Sequence, residues 1–184
     1  MDEEKLRKDL TKIDLTPLCS YINSDEYKHY FLCPEGQEHY KLLAALSTNY
    51  TNALILDIGS LKGCSALALS YNKTNKIKSF NLINQLDLNR IPDNIEFIVD
   101  NILDQKYKSL ILSSQLILLD TFHDGTFERQ FHDFLLEINW KGMLILDDIK
   151  LNNEMICYWD SIKEKKLDIT QYGHCTGTGI VHFV

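Results

Sequence analysis

The chain is poor in the residues that punctuate or crosslink a protein. Its 184 residues include 3 prolines, 8 glycines and 5 cysteines. So little proline and glycine excludes low-complexity linkers as a major component. The cysteines, Cys19, Cys33, Cys64, Cys157 and Cys175, are odd in number and contain no Cys-x-x-Cys pair. A reduced protein is the simplest account. No secretory signal is visible in the opening Met-Asp-Glu-Glu-Lys, and the expected location is cytoplasmic. No apolar run approaches the roughly 20 residues of a membrane span. An excess of base is missing too. The formal charge of −7 argues against a nucleic-acid backbone as the main partner. Lys163, Lys165 and Lys166 are flanked by Glu164 and Asp168 and read as a solvated helix end. There is no internal repeat. The length suits one compact domain with a real core.

What is present is a rhythm. Short runs rich in Ile, Leu and Val occur at Ala53–Ile58, Ile77–Ile83, Ile95–Val99, Gln115–Leu119 and Met143–Leu146. They are apolar on both faces, as strands of a parallel sheet are when helices cover both sides. Between them, Ala66–Tyr71, Asp104–Ser113, Thr126–Trp140 and Asn152–Lys165 read as helices, with Thr126 as a cap. Asn84–Asp93 is too short for a full crossover helix. Asp168–Tyr172 and Gly179–Val184, joined by "GHCTGTG", read as a terminal antiparallel hairpin. The fold class is therefore α/β: a Rossmann-like three-layer sandwich, mostly parallel, with right-handed crossovers. Residues 1–50 form a helical segment of the same domain, on its lid or substrate side. Tyr40, Leu42, Leu43 and Leu46 form a face suited to the sheet. Residues 51–184 carry the cofactor-binding sheet.

Ligands of such sheets bind at the carboxyl ends of the strands, near the point where strand order reverses. "LILDIGSLKGCSALAL" is strand, turn and helix, with Asp57 at the strand end and Gly59 and Gly63 in the turn. The pattern is Asp-x-Gly-x-x-x-Gly. The absent Gly-x-Gly-x-x-Gly disfavours a tightly held pyrophosphate and a nucleotide-dependent oxidoreductase. A ligand without phosphates, or a plain tight turn, remains. "LLDTFHDG" puts Asp120 at another strand end and His123 three residues on. "LILDDI" adds Asp147 and Asp148. Three carboxylates converging without basic partners would repel one another. A hard divalent cation relieves that repulsion, and Mg²⁺ or another divalent metal is the expected ion. His123 suits a general base, because imidazole titrates near neutral pH.

The ordered set "LILDIGSLKGCSALAL", "SFNLI", "EFIVDNILD", "LILLDTFHDG" and "LILDDI" resembles class I S-adenosylmethionine-dependent methyltransferases. The likeness is nearest to metal-dependent small-molecule and sugar O-methyltransferases of the macrocin and cephalosporin-hydroxylase-like groups. It runs from about residue 30 to the end. It implies a seven-stranded sheet with a reversed final strand. Asp57, Gly59, Ser60, Gly63 and Ser65 would line the cofactor's methionine and ribose part. Asn81 would replace the usual ribose-binding acid, Asp100 and Asn101 would meet the adenine, and Asp120 would serve both cofactor and metal. Asp120, Asp147 and Asp148 would be the metal ligands and His123 the base. Gln37, Glu38, His39 and His174 would stand at the substrate entrance. The implied acceptor is a hydroxyl of a small polar molecule such as a sugar or nucleotide sugar, and a homodimer is common among proteins of this kind. Two other classes stay open. The pairs His123-Asp124 and His132-Asp133 suggest a metal-dependent phosphohydrolase, although that class is normally all-helical. Asn81 in place of an acid suggests a non-catalytic binding subunit.

Overall fold

The computed structural model describes residues 3–184, and all side chains among them except those of 34–38. Three helices come first: α1 (Glu3–Leu10), α2 (Asp25–Leu32) and α3 (Pro34–Ser47). The strands are β1 (Leu54–Ile58), β2 (Lys76–Asn81), β3 (Ile95–Val99), β4 (Leu116–Leu119), β5 (Gly142–Asp147), β6 (Lys165–Asp168) and β7 (Thr178–Phe183). Helices α4 (Cys64–Leu69), α5 (Lys108–Ser113), α6 (Thr126–Glu137) and α7 (Asn153–Ser161) connect them. As its shortness requires, the link from β2 to β3 contains no helix.

The strands form one seven-stranded sheet in the order β3-β2-β1-β4-β5-β7-β6. The first five pair in parallel, and β7 runs antiparallel to both β5 and β6. The chain runs outward from β1 to β3, then returns across β1 to β4. That reversal puts the switch point between β1 and β4.

Alternation along the strands divides the core in two. Ile55, Leu116, Leu118 and Ile145 face α3, α4 and the N-terminal segment, whose Leu6, Leu15, Phe31 and Leu42 are buried in the same cluster. Leu56, Ile117, Leu119 and Leu144 face the other layer, with Phe131, Leu135 and Met155. Each such fully buried side chain contributes about 1.5–3 kcal/mol. Residues 3–50 thus supply one wall of the core. Among the described residues, no helix is long and apolar enough to cross a membrane.

Three local expectations are corrected. The first piece of the terminal pair is Lys165–Asp168, and Thr170–Tyr172 is a 3₁₀ turn rather than extended chain. Lys165 and Lys166 therefore lie in an edge strand, not at a helix end. Lys166 donates to the Trp159 carbonyl, with its ammonium 4.9 Å from the centre of that ring. Lysines there protect the edge against pairing with other chains. Finally, Thr126 does not cap α6. Asp124 does, its Oδ1 accepting from the N–H groups of Thr126 and Phe127, because the N-cap position holds Gly125, which has no side chain.

Candidate active site

At the switch point the chain is pressed together tightly enough to require glycine. Gly59 has φ +101°, and a Cβ on it would lie 1.5 Å from the carbonyl oxygen of Asp120. Only glycine lets the β1 and β4 ends meet this closely. Beside them opens a cavity of about 620 Å³, lined by Gly59, Asn81, Asp100, Asn101, Asp120 and His123 among others. Its apolar wall includes Leu61, Leu82, Ile83 and Phe122, each more than half exposed. Large apolar side chains gathered at an open cavity mark a ligand surface. Sequence reading overlooked these four, which have no motif. The one available signal was that Leu82 and Ile83 directly follow the end of β2 and Phe122 stands three residues past the end of β4.

Next to the cavity, three carboxylates and three histidines interleave. The His123 Nε2 lies 3.2 Å from Asp120 Oδ1 and 3.5 Å from Asp148 Oδ2. The His174 Nε2 lies 2.8 Å from Asp147 Oδ1, and the His39 Nδ1 is 3.5 Å from the same oxygen. Asp120, Asp147 and Asp148 thus converge as expected, but not without basic partners. Burial pushes the His123 imidazole down, yet the Asp120 hydrogen bond and the charges of Asp120, Asp148 and Asp147 outweigh it and raise the group to about 9. Burial opposes charge on His174 as well, and Asp147 more than offsets it. Asp120 is pushed up by burial and by Asp147, while the neighbouring histidines draw Asp147 down against its own burial.

The donors suit a divalent cation. Asp120, His123 and Asp147 offer ligand atoms within 4.8 Å of one another, as do His39, Asp147 and His174. Asp148 Oδ1 and His39 Nδ1 are buried without hydrogen-bond partners among the described residues. The imidazoles depart from the all-oxygen set anticipated for Mg²⁺.

The loop carrying His123 is held from both sides. Glu128, almost fully buried in the first turn of α6, accepts from the His123 N–H at 3.0 Å and the Thr121 hydroxyl at 2.8 Å. Asn152 donates to the His123 carbonyl at 2.8 Å while its Oδ1 caps α7. Clamped so, His123 adopts φ +55°, and Asp148 adopts +57°. Such backbone persists in non-glycine residues only where surroundings over-determine it, and it concentrates at functional sites. Glu128 and Asn152 also escaped sequence reading. An acid at the third helical position was the available hint for Glu128.

Other predicted residues take different places. Asp57 is fully buried beneath the turn and does not line the cavity. Burial pushes it up to about 7, against hydrogen bonds from Ser79 and Ser65. Ser60 and Ser65 are buried as well. Gly63, at φ +94°, is the N-cap residue of α4. Asp100 lines the cavity, but Lys106, Tyr107 and the Asn101 N–H hold its carboxylate down to about 2. Asn81 lines it with Oδ1 accepting from the Leu82 N–H at 2.9 Å. His39 is 8% exposed and packs edge-on to His174 at 4.9 Å. The side chains of Gln37 and Glu38 lie outside those described. His132 is bound between Tyr158 and Glu164 and takes no part in the cluster, so the two His-Asp pairs do not meet.

This strand order, with a reversed strand inserted beside β5, is the fold of class I S-adenosylmethionine-dependent methyltransferases. No protein-family model matches the chain, and no curated protein does. Solved structures do. An S-adenosylhomocysteine-bound methyltransferase of Podospora anserina, PaMTH1, is similar with a TM-score of 0.55 at 14% identity, over 92% of this chain and 94% of that one. An O-methyltransferase of Bacillus cereus, also with S-adenosylhomocysteine, gives 0.54 at 14%, over 100% and 92%. The Streptomyces achromogenes O-methyltransferase TomG, of tomaymycin synthesis, in complex with S-adenosylmethionine, gives 0.56 at 12%, over 89% and 92%. At such identities the likeness is one of fold.

Proposed function

We propose that the protein is an S-adenosylmethionine-dependent O-methyltransferase. Its acceptor would be a hydroxyl of a small polar molecule, a sugar or nucleotide sugar, with help from a divalent cation. One observation carries this reading. The cavity at the switch point and the Asp-His cluster share Asp120 and His123, so a ligand in the cavity ends where protons and charge are managed. Bound there, S-adenosylmethionine supplies an electrophilic methyl group, and the protein's task is position and deprotonation. The wall of Leu61, Leu82, Ile83 and Phe122 would cover the apolar parts of the nucleoside, with Asn81 available to the ribose hydroxyls. Asp120, Asp147 and Asp148 would hold the cation, which lowers the pKa of a coordinated hydroxyl. At neutral pH the His123 imidazole holds a proton against Asp120 and Asp148. Neutralising those carboxylates would return it toward its ordinary range, where it can accept the acceptor's proton.

Calorimetry with S-adenosylmethionine and S-adenosylhomocysteine is the direct test. Binding of both at micromolar to millimolar concentration is expected, and absence of both at millimolar would end the proposal. Nucleotide sugars incubated with cofactor and divalent cation should then gain one methyl group by mass spectrometry, and EDTA should suppress the gain.

A further inference from the structure

We infer that His39, Asp147 and His174 form a binding site for a first-row transition dication of the Zn²⁺, Co²⁺ or Mn²⁺ kind, in preference to Mg²⁺. The inference revises the cation part of the proposed function, with His39 and His174 in place of Asp120 and Asp148 around the shared Asp147, and rests on that reading only for the ion's role.

The three residues come from separate elements. His39 stands on α3, Asp147 ends β5, and His174 lies in the loop before β7. Their donor atoms lie within 4.8 Å of one another. His39 Nδ1 and His174 Nε2 stand 3.5 and 2.8 Å from the same oxygen, Asp147 Oδ1. Ligand atoms about 2.1 Å from a common zinc ion sit roughly 3.0–3.6 Å apart at angles of 90–120°. One distance falls in that range and the other is slightly shorter, so small side-chain shifts would complete the geometry.

A hydrogen bond at 2.8 Å accounts for His174 against Asp147, but none accounts for His39. At 3.5 Å the His39–Asp147 contact is too long for a good hydrogen bond. The His39 Nδ1 has no hydrogen-bond partner among the described residues, although the residue is 8% exposed. A buried ring nitrogen aimed at a carboxylate and left unbonded lacks a third party. The opposite nitrogen of His174 is engaged by the Thr176 hydroxyl, which fixes the ring with Nε2 inward. Metal-binding imidazoles are oriented by such outer hydrogen bonds. Two imidazoles and one carboxylate suit borderline transition ions, whereas Mg²⁺ favours oxygen and water. Asp120 and His123 line the cavity and bring donor atoms within 4.8 Å of Asp147, so an ion held at Asp147 would stand beside the cavity.

The test uses the full chain stripped with EDTA. Co²⁺ is titrated by visible absorption, and Zn²⁺, Mn²⁺ and Mg²⁺ by calorimetry. One Co²⁺ should bind with the spectrum of mixed nitrogen and oxygen ligation, and Mg²⁺ should bind far more weakly. His39→Gln and His174→Gln should each weaken Co²⁺ by more than the roughly 10–100-fold that an outer-sphere partner costs. His29→Ala, at an exposed histidine of α2, should change nothing. Circular dichroism and S-adenosylmethionine binding of the same variants report folding and the cofactor site separately. Mg²⁺ binding as tightly as Co²⁺ would overturn the inference, as would Co²⁺ binding that survives both histidine variants. No Co²⁺ binding at millimolar concentration by a folded chain would overturn it as well.

Discussion

His123 concentrates the chemistry of this site in one imidazole. Two acidic neighbours, at 3.2 and 3.5 Å, hold its proton up to about pH 9. The folded state therefore binds this proton more tightly than the unfolded chain does. The resulting stability is fully present below about pH 6.5, the ordinary histidine value, and is lost as pH rises toward 9. NMR titration of the metal-free protein should place the His123 midpoint near 9, and a bound dication should lower it. A midpoint near 6.5 in the metal-free protein would remove the charge pairing. With activity in hand, His123→Ala should cut turnover about 10²–10⁴-fold and leave S-adenosylmethionine binding intact.

The element that matters most is the loop between β4 and α6. It has no regular structure, yet it aims His123 because α6 and α7 reach back to it through Glu128 and Asn152. Glu128→Ala leaves a backbone N–H and a hydroxyl without their partner and should destabilise the fold by about 1–3 kcal/mol. Glu128→Gln, which keeps an accepting oxygen, should recover most of that. Urea denaturation of the three proteins checks the order, and equal midpoints would show that the clamp is idle. The Asn152 clamp escaped the sequence because it joins the loop to a helix start 29 positions away through tertiary contact, whereas Glu128 is only 5 positions from His123 and left a local hint. "LLDTFHDG" by itself showed Asp120 and His123 but not what holds them.

At the scale of the molecule, the parallel sheet buries Asp57 fully and raises it to about 7. The folded state keeps a proton that the unfolded chain has released above about pH 4, so this group lowers stability as pH rises from about 4 to 7. The slope approaches 1.4 kcal/mol per pH unit in that window. Asp57→Asn removes the titration. The stability of the parent relative to the variant should fall from pH 5 to 7 and level off above, measured by urea unfolding at each pH. Parallel profiles would show that Asp57 is not held protonated.

The α/β class, the five parallel strands and the reversed end were legible in the chain, because continuous apolar runs, which burial on two faces imposes, and helical spacings are local patterns. Asp120, Asp147 and Asp148 were legible for the same reason: each directly follows an apolar strand. Their partner His123 was legible too, three residues after Asp120, but the pairing of His39 and His174 with Asp147 was not. His39 and His174 are separated from Asp147 by 108 and 27 positions, and only the packing of α3 on the sheet and the insertion of β7 beside β5 bring the three together. The burial of Asp57 beneath the turn and the apolar wall of the cavity have the same origin. Both depend on which surfaces face each other, and that is settled by long-range contacts rather than by the order of residues along the chain.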